Sequence, residues 1–346
     1  MPVPPFESVD TLRRAFAEGL RPLLAQPSLG AFILSCANAT YDAAILQMLD
    51  EALRDRFDAL QAQYRQALAA GLPLDEVDED LLVFLKMAAI GFDSLQPTES
   101  RREGHWQLQF NHLRSFRPKR ISQQPPQGIS APFNPQGFHF NKPFMQKEVF
   151  WRGELCGESA DLYYNKYPFA DLHTLLVPQR EREWPQYLQQ GFHDYAWRVT
   201  AELGATLPGV GIGYNSYGAF ASVNHLHFQM YVATAPMPAE DPVWQHNGGD
   251  TPYPASCLAC DTVQEAWLAI GGLHRTATPY SLLYRPGRCY LFPRRPQGEI
   301  PPPSWSSGFT WSELAGAVVT FNRDAYTNLA GDEVARQLAD CSADAG

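Results

Sequence analysis

Across residues 41–70, apolar side chains recur at Leu46, Leu49, Leu53, Phe57, Leu60, Tyr64 and Leu68, in steps of three and four, until Gly71 and Pro73 end the pattern. The spacing predicts one long amphipathic helix packed on the body of the protein, since about three heptads are too few to demand a dimerising coiled coil. A second helix is expected over residues 78–92, where the acidic EVDED segment suits a helix N-terminus. The first hundred residues thus read as helical. Residues 115–135 are rich in proline, basic and small residues and read as a long loop or linker. Beyond them, short aromatic and β-branched runs at 161–165, 173–178, 225–233, 281–284 and 288–293 predict strands, and 184–204 and 311–338 read as helices. That order suggests an antiparallel α+β sheet more than a regular βαβ repeat.

Composition narrows the class without naming a chemistry. The chain has 346 residues, 45% hydrophobic and 18% charged, enough to fold around a substantial core. Its 27 basic and 37 acidic residues leave a net charge of −10, which argues against non-specific attachment to nucleic acid or anionic membranes but leaves room for a small phosphorylated substrate in a local basic pocket. The longest apolar run, at 81–92, is too short to cross a bilayer and contains Lys86, and the N-terminus lacks the pattern of an export signal. A soluble, cytoplasmic protein is expected. Six cysteines are too few and scattered for a disulfide framework, and Cys257 and Cys260 form a lone CxxC that would need two further ligands to hold zinc. Neither GxGxxG after a strand nor GxxxxGK[ST] is present.

The chemistry concentrates in residues 211–232, GIGYNSYGAFASVNHLHFQMYV. As a strand, 225–232 would direct His225, His227, Gln229 and Tyr231 to one face and Leu226, Phe228, Met230 and Val232 to the core, spacing the polar groups by about 7 Å. A neutral imidazole attacks phosphorus, and a second histidine or amide beside it can fix its tautomer or hold charge on phosphoryl oxygens. The HxH pair alone would equally fit surface residues or part of a metal site. Upstream, Asn215, Ser216, Gly218, Ala219 and Ser222 make a small, polar stretch whose backbone N–H groups can approach an anion.

NHLHFQ resembles the HxHxQ motif of the transferase branch of the histidine triad superfamily, which includes galactose-1-phosphate uridylyltransferases, diadenosine tetraphosphate phosphorylases and GDP-hexose phosphorylases. Residues 165–179, with Pro168, His173 and Pro178, look like the superfamily's first strand pair, and Asn165 stands where the hydrolases carry a ribose-contacting aspartate. Within the superfamily the chain most resembles GDP-L-galactose and GDP-D-glucose phosphorylases. Their pattern is similar to residues 213–229 here, and Gln109, Phe110, Asn111, Arg114, Arg117, Pro118, Phe140, Asn141, Lys142, the LFPR run at 291–294 and residues 311–326 follow in the same order.

The resemblance covers about residues 105–340 and implies a histidine-triad-like α+β fold. It would have antiparallel sheets with packed helices in two half-domains, a helical N-terminal region over 1–100 and a catalytic domain over 101–346. It further implies a nucleotidyltransferase that cleaves a GDP-hexose with inorganic phosphate through a covalent nucleotidyl-histidine. In that reading His227 is the nucleophile and His225 orients it and binds phosphate oxygens. Gln229 replaces the third histidine of the hydrolases, and an amide, being no acid or base, favours phosphate over water as acceptor. Asn215, Ser216, Gly218 and Ser222 would hold phosphate, Asn165 the ribose, and Lys142 or Arg294 would supply positive charge. The uridylyltransferase metal is not carried over, because its CxxC precedes the motif whereas Cys257 and Cys260 follow it; no cofactor is expected. His173 reads as structural, and His105, His112, His139, His193, His246 and His274 receive no role. The expected partners are a nucleotide sugar and phosphate; a homodimer is left open. The alternatives are a dinucleoside polyphosphate phosphorylase and a nucleotide-binding protein without turnover.

Overall fold

A computed structural model describes residues 5–74, 76–117, 128–233 and 235–343. Four helices come first: α1 (Val9–Leu24), α2 (Leu29–Tyr41), α3 (Ala43–Ala69) and α4 (Asp78–Ile90). Each of the first three starts at a side-chain cap: Ser8 and Ser28 accept from Thr11 N and Ala31 N, and Asp42 accepts from Ala44 N at 2.8 Å. The stripe expected on the third helix is buried as Leu49, Leu53, Phe57, Leu60 and Tyr64, while Leu68 is exposed near its end. The helix begins at Ala43 instead of 41 because Asp42 caps it and Tyr41 closes α2.

The remaining chain contributes β1 (Glu99–Glu103), β2 (Trp106–Phe110), α5 (His112–Ser115), β3 (Val149–Leu155), β4 (Glu158–Tyr164), β5 (Thr174–Pro178), α6 (Gln190–Leu203), β6 (Val210–Asn215), β7 (Phe228–Val232), β8 (Leu258–Cys260), α7 (Val263–Thr276), β9 (Tyr280–Arg285), β10 (Arg288–Pro293), α8 (Trp311–Leu314), β11 (Ala317–Thr320), α9 (Arg323–Asn328) and α10 (Gly331–Cys341). Eight strands form one antiparallel sheet in the order β3-β4-β5-β7-β6-β9-β10-β8. Its two halves, β3–β7 and β8–β10, join where β6 pairs with β9. A three-stranded sheet, β1-β2-β11, packs beside it. The protein is therefore α+β with antiparallel sheets behind a helical N-terminal region. The loop expected at 115–135 lies partly outside the described residues, as does Pro118.

One face of the large sheet, including Leu162, Leu176, Phe228, Met230, Ile212 and Leu282, shares a single buried cluster with α1–α4, α6 and α7. Polar contacts tie the same join: Tyr164 donates to the Phe16 carbonyl at 2.7 Å, Asn38 Nδ2 to the Asn165 carbonyl at 2.9 Å, and Lys166 pairs with Asp80. The opposite face carries two separate clusters, one around Trp311, Phe169, Tyr231 and Leu283 and one around Phe140, Met145, Tyr163 and Val177.

Two expectations need correction. Residues 311–338 are not one helix: α8 stops at Gly316 (φ +90), where a Cβ would lie 2.6 Å from Pro238, and the β-branched run Val318, Val319, Thr320 pairs in parallel with β2. The strand expected from residue 225 starts at Phe228. The N–H groups of Leu226 and His227 are taken by the Trp184 carbonyl and Gln186 Oε1, at 2.7 and 2.9 Å, so the two histidines sit on a bend bonded to residues 184–186, just ahead of the strand.

Candidate active site

The histidine end of β7 lies between the two clusters on the second sheet face. Leu175 and Gln229, paired in register across β5 and β7, are half-buried while their neighbours along both strands are buried. They mark a partly open strip, the slot, between the two clusters. Phe140 stands on one side, with ring centroids 5.4 Å from both His225 and His227. Trp311 stands on the other, stacked on Tyr231 at 5.2 Å and donating from Nε1 to Gln229 Oε1 at 2.9 Å. Gly213 admits that indole, since a Cβ there would lie 2.2 Å from its ring. The face expected to look outward is thus largely covered: Tyr231 is in the second core, and His225 and His227 are only 1% and 5% exposed.

The hydrogen bonds fix both imidazole tautomers. His225 Nδ1 accepts from the Phe140 N–H at 3.2 Å, so its Nε2 donates, to the Arg180 carbonyl at 3.0 Å. With both nitrogens engaged, His225 holds its place and supplies its carbonyl to its neighbour. His227 Nδ1 donates to that carbonyl at 2.8 Å, which leaves the Nε2 lone pair with no partner among the described residues. Burial pushes both pKa values down to about 4, with the adjacent His227 adding to the shift at His225. His227 therefore presents a neutral, correctly tautomerised nitrogen.

Gln186, which no motif marks, pins the backbone of this nitrogen's residue. It is 1% exposed; its Oε1 accepts from His227 N, and its Nε2 donates to the carbonyls of His227 (3.2 Å) and Asn215 (2.9 Å). The Gln186 amide thereby ties the Asn215 carbonyl to the backbone of His227 just beyond the last paired residues, Gly213 and Gln229. The Asn215 Oδ1 accepts from Ser281 Oγ (2.8 Å) and Trp311 N (2.9 Å), which orients the amide, and its buried Nδ2 has no partner. This is an oriented donor on the residue that Gln186 ties to His227.

The other candidates separate into several places. Ser216 is buried in the turn after β6, its hydroxyl accepting from Tyr280 N at 3.0 Å and donating to the Tyr217 carbonyl. Gly218 has φ +83 and a Cβ there would stand 2.7 Å from the Gly128 carbonyl, so it fits the chain crossing over it. Ser222 is exposed on the approach to His225. Lys142 donates to the Pro135 carbonyl at 3.1 Å, within its own loop. Asn165 sits at the other end of β5, its Nδ2 3.3 Å from His173 Nε2 and its Oδ1 accepting from Tyr167 N. His173, with its pKa pushed down to about 3 by burial, lies beneath Phe169 at 4.4 Å. Arg294 is buried, 4.8 Å over the Phe220 ring, and donates to the Phe309 carbonyl. Arg114 is also buried, 4.9 Å from the Phe169 ring, with Nε unpaired. Burial lowers both guanidinium pKa values to about 10, and neither makes an ion pair with a carboxylate among the described residues.

Cys260 pairs in register with Cys289, and burial raises the thiol pKa values of Cys257, Cys260 and Cys289. Among the described residues no three potential ligand side chains converge. No described helix is long and apolar enough to cross a membrane.

Residues 103–231 match the family described as GDPGP1-like, N-terminal domain. That stretch is similar to the GDPGP1-like domain over about a third of the chain. It runs from the end of β1 to Tyr231 in β7 and holds Asn165, Gln186, Asn215, His225, His227 and Gln229, whereas Arg294 and Trp311 come from outside it. The chain is similar to human GDP-D-glucose phosphorylase 1, with 36% identity over 133 residues, 35% of this chain and 33% of the human protein. It is similar to GDP-L-galactose phosphorylase 1 of Arabidopsis thaliana, with 41% identity over 125 residues, 31% of this chain and 27% of that protein. The matched stretch thus spans about a third of the length of the human relative. Among solved structures it is similar to yeast Ap4A phosphorylase Apa2, with a TM-score of 0.49 and 16% identity, covering 78% of this chain and 95% of that one.

The depressed imidazole pKa values predict that the stability of residues 103–231 falls in acid. His173, His225 and His227 have folded values of about 3, 4 and 4, below their ordinary 6.5, so the unfolded chain binds more protons between those limits. Their contribution to stability is complete above about pH 6.5 and falls as pH drops towards 4. Urea unfolding between pH 6 and 4.5 should show His227→Asn with a slope shallower by about 1.4 kcal/mol per pH unit, one proton's worth. A wild-type slope in that variant would mean that His227 titrates normally.

Proposed function

We propose that the protein is a GDP-hexose phosphorylase working through a covalent guanylyl-histidine. The observation that carries this reading is the free Nε2 lone pair of His227, held neutral by burial and fixed by its Nδ1–H bond to the His225 carbonyl. The similarity of the chain to enzymes named GDP-D-glucose and GDP-L-galactose phosphorylase supports the substrate class.

In the first step His227 Nε2 attacks the α-phosphorus of the GDP-hexose. The Nε2–P bond forms, the bond from that phosphorus to the bridging oxygen breaks, and hexose 1-phosphate leaves. Inorganic phosphate then attacks the same phosphorus, the N–P bond breaks, and GDP is released. Asn215 Nδ2 is the donor for the phosphoryl oxygens as charge builds on them. Gln229, anchored through its Oε1 by Trp311, is an amide and supplies no proton to water. The positive charge assigned to Lys142 or Arg294 belongs to the buried guanidiniums of Arg294 and Arg114, which gain from an anion because no carboxylate pairs with them. His225 acts through His227. Ser216 and Gly218 shape the turn that holds Asn215, Ser222 lies on the entry side, and Asn165 contacts the far part of the nucleotide.

The direct test is intact-protein mass spectrometry with GDP-D-glucose in the absence of phosphate, followed by a phosphate chase. A guanylyl adduct that disappears on the chase is expected; an unmodified mass throughout would sink the mechanism. Asn215→Ala should lower the rate of adduct formation by about 10²-fold with little change in nucleotide affinity. Rapid-quench labelling measures this, and a wild-type rate would remove Asn215 from the site.

A further inference from the structure

A cavity of about 160 Å3 opens between β1, β2, the C-terminal end of α2 and the segment after Phe169, with its mouth at exposed Ser100 and Ala235. It has room for on the order of ten water-sized groups, the scale of one substituted six-membered ring. Its polar wall consists of Tyr41, Gln107, Gln109 and Asp171. Tyr41 donates to Gln109 Oε1 at 2.9 Å, which leaves the Gln109 NH2 to donate. The side chains of Ser100, Gln107 and Asp171 have no partner among the described residues. No lysine, arginine or histidine lines it. Asp171 is the one charged residue of the lining, so the lining itself suits a neutral ligand with several hydroxyl groups. Phe169 and Met237 add apolar surface for the C–H face of such a ring.

The cavity lies one aromatic ring beyond the slot. Phe169 lines it and also touches His173 at 4.4 Å and Trp311 at 5.7 Å, and Trp311 holds Gln229. The buried guanidinium of Arg114 lies against the same Phe169 ring, so positive charge for a diphosphate and polar groups for a sugar adjoin one another. We propose that this cavity receives the hexose ring of the nucleotide sugar, with Asp171, Gln107 and Gln109 bonding its hydroxyl groups. The assignment rests on the guanylyl-transfer reading of His227. Burial beside Asp42 raises the Asp171 pKa to about 6, so its carboxylate gains from hydroxyl donors.

The test compares two donors of the same guanylyl group. GDP-D-glucose carries the hexose and expels glucose 1-phosphate; GDP lacks it and expels inorganic phosphate. Asp171→Asn and Gln107→Leu should each slow adduct formation from GDP-D-glucose, by about 30-fold for Asp171→Asn, as expected for losing hydrogen bonds to a charged group. Adduct formation from GDP should stay within about twofold of wild type. Neither side chain has a partner to lose, so both variants should fold. Equal slowing with both donors would overturn the assignment in favour of the base, and no slowing with either would overturn it outright. If wild-type protein forms no adduct from either donor, the His227 reading has failed by itself. Saturation-transfer NMR with glucose 1-phosphate then decides the cavity: a signal lost in Asp171→Asn supports it, and no signal in wild type overturns it.

Discussion

His227→Asn should abolish guanylyl transfer, with turnover of GDP-D-glucose down by at least about 10⁴-fold and no adduct by mass spectrometry. Asparagine is the informative replacement because its amide nitrogen falls where the imidazole Nδ1 stands. The bond to the His225 carbonyl can survive while Nε2, the only part assigned to the chemistry, is deleted. The imidazole is nearly fully buried against Phe140, so removing part of it also costs packing, on the order of 1–2 kcal/mol. Thermal unfolding and nucleotide binding should therefore be measured beside the rates. A folded variant that binds GDP but forms no adduct is the expected result. A folded variant that still turns over would move the nucleophile elsewhere.

That expectation differs from the one the strand pattern alone supports, and the difference shows what was legible. Alternation over residues 225–232 correctly separated His227, Gln229 and Tyr231 from Phe228, Met230 and Val232. It could not say that a second layer covers the polar face, because that layer comes from residues 106–110, 140–145 and 305–319, distant in sequence. The long helix was legible because its stripe has seven positions in steps of three and four and Gly71 with Pro73 ends it, whereas its Asp42 cap was not read. The strands β1, β2 and β6 were not: five-residue runs such as ESRRE and the glycine-broken VGIGYN carry too little alternation to stand out. Glycines that weaken β6 as a pattern are there for Trp311 and Tyr231, whose rings occupy the places of the missing Cβ atoms at 213 and 211. The same long-range packing hid the roles of Lys142 and Arg294. Lysine at 142 is tied to its own loop, while Arg294 is interior.

Gln186→Ala should be the most damaging change outside the histidine pair. The side chain fills three backbone demands at once, the N–H and carbonyl of His227 and the carbonyl of Asn215, and in alanine all three lose their partner in a buried site. Unsatisfied buried groups cost about 1–3 kcal/mol each, so a loss of roughly 3 kcal/mol or more in stability is expected even if water recovers part of it. The catalytic loss follows from geometry. Gln186 couples the bend carrying the nucleophile to the strand carrying its oxyanion donor, and a displacement of about 1 Å between them can cost about 10²-fold in rate. If Gln186 acts only by supporting the fold, the surviving folded fraction would react at the wild-type rate. If it positions His227, single-turnover kcat falls while KM for GDP-D-glucose and the acid limb of the pH profile stay near wild type. Gln186→Glu separates these further, because a carboxylate can still accept from the His227 N–H but cannot donate to either carbonyl. Its rate should fall between those of alanine and wild type.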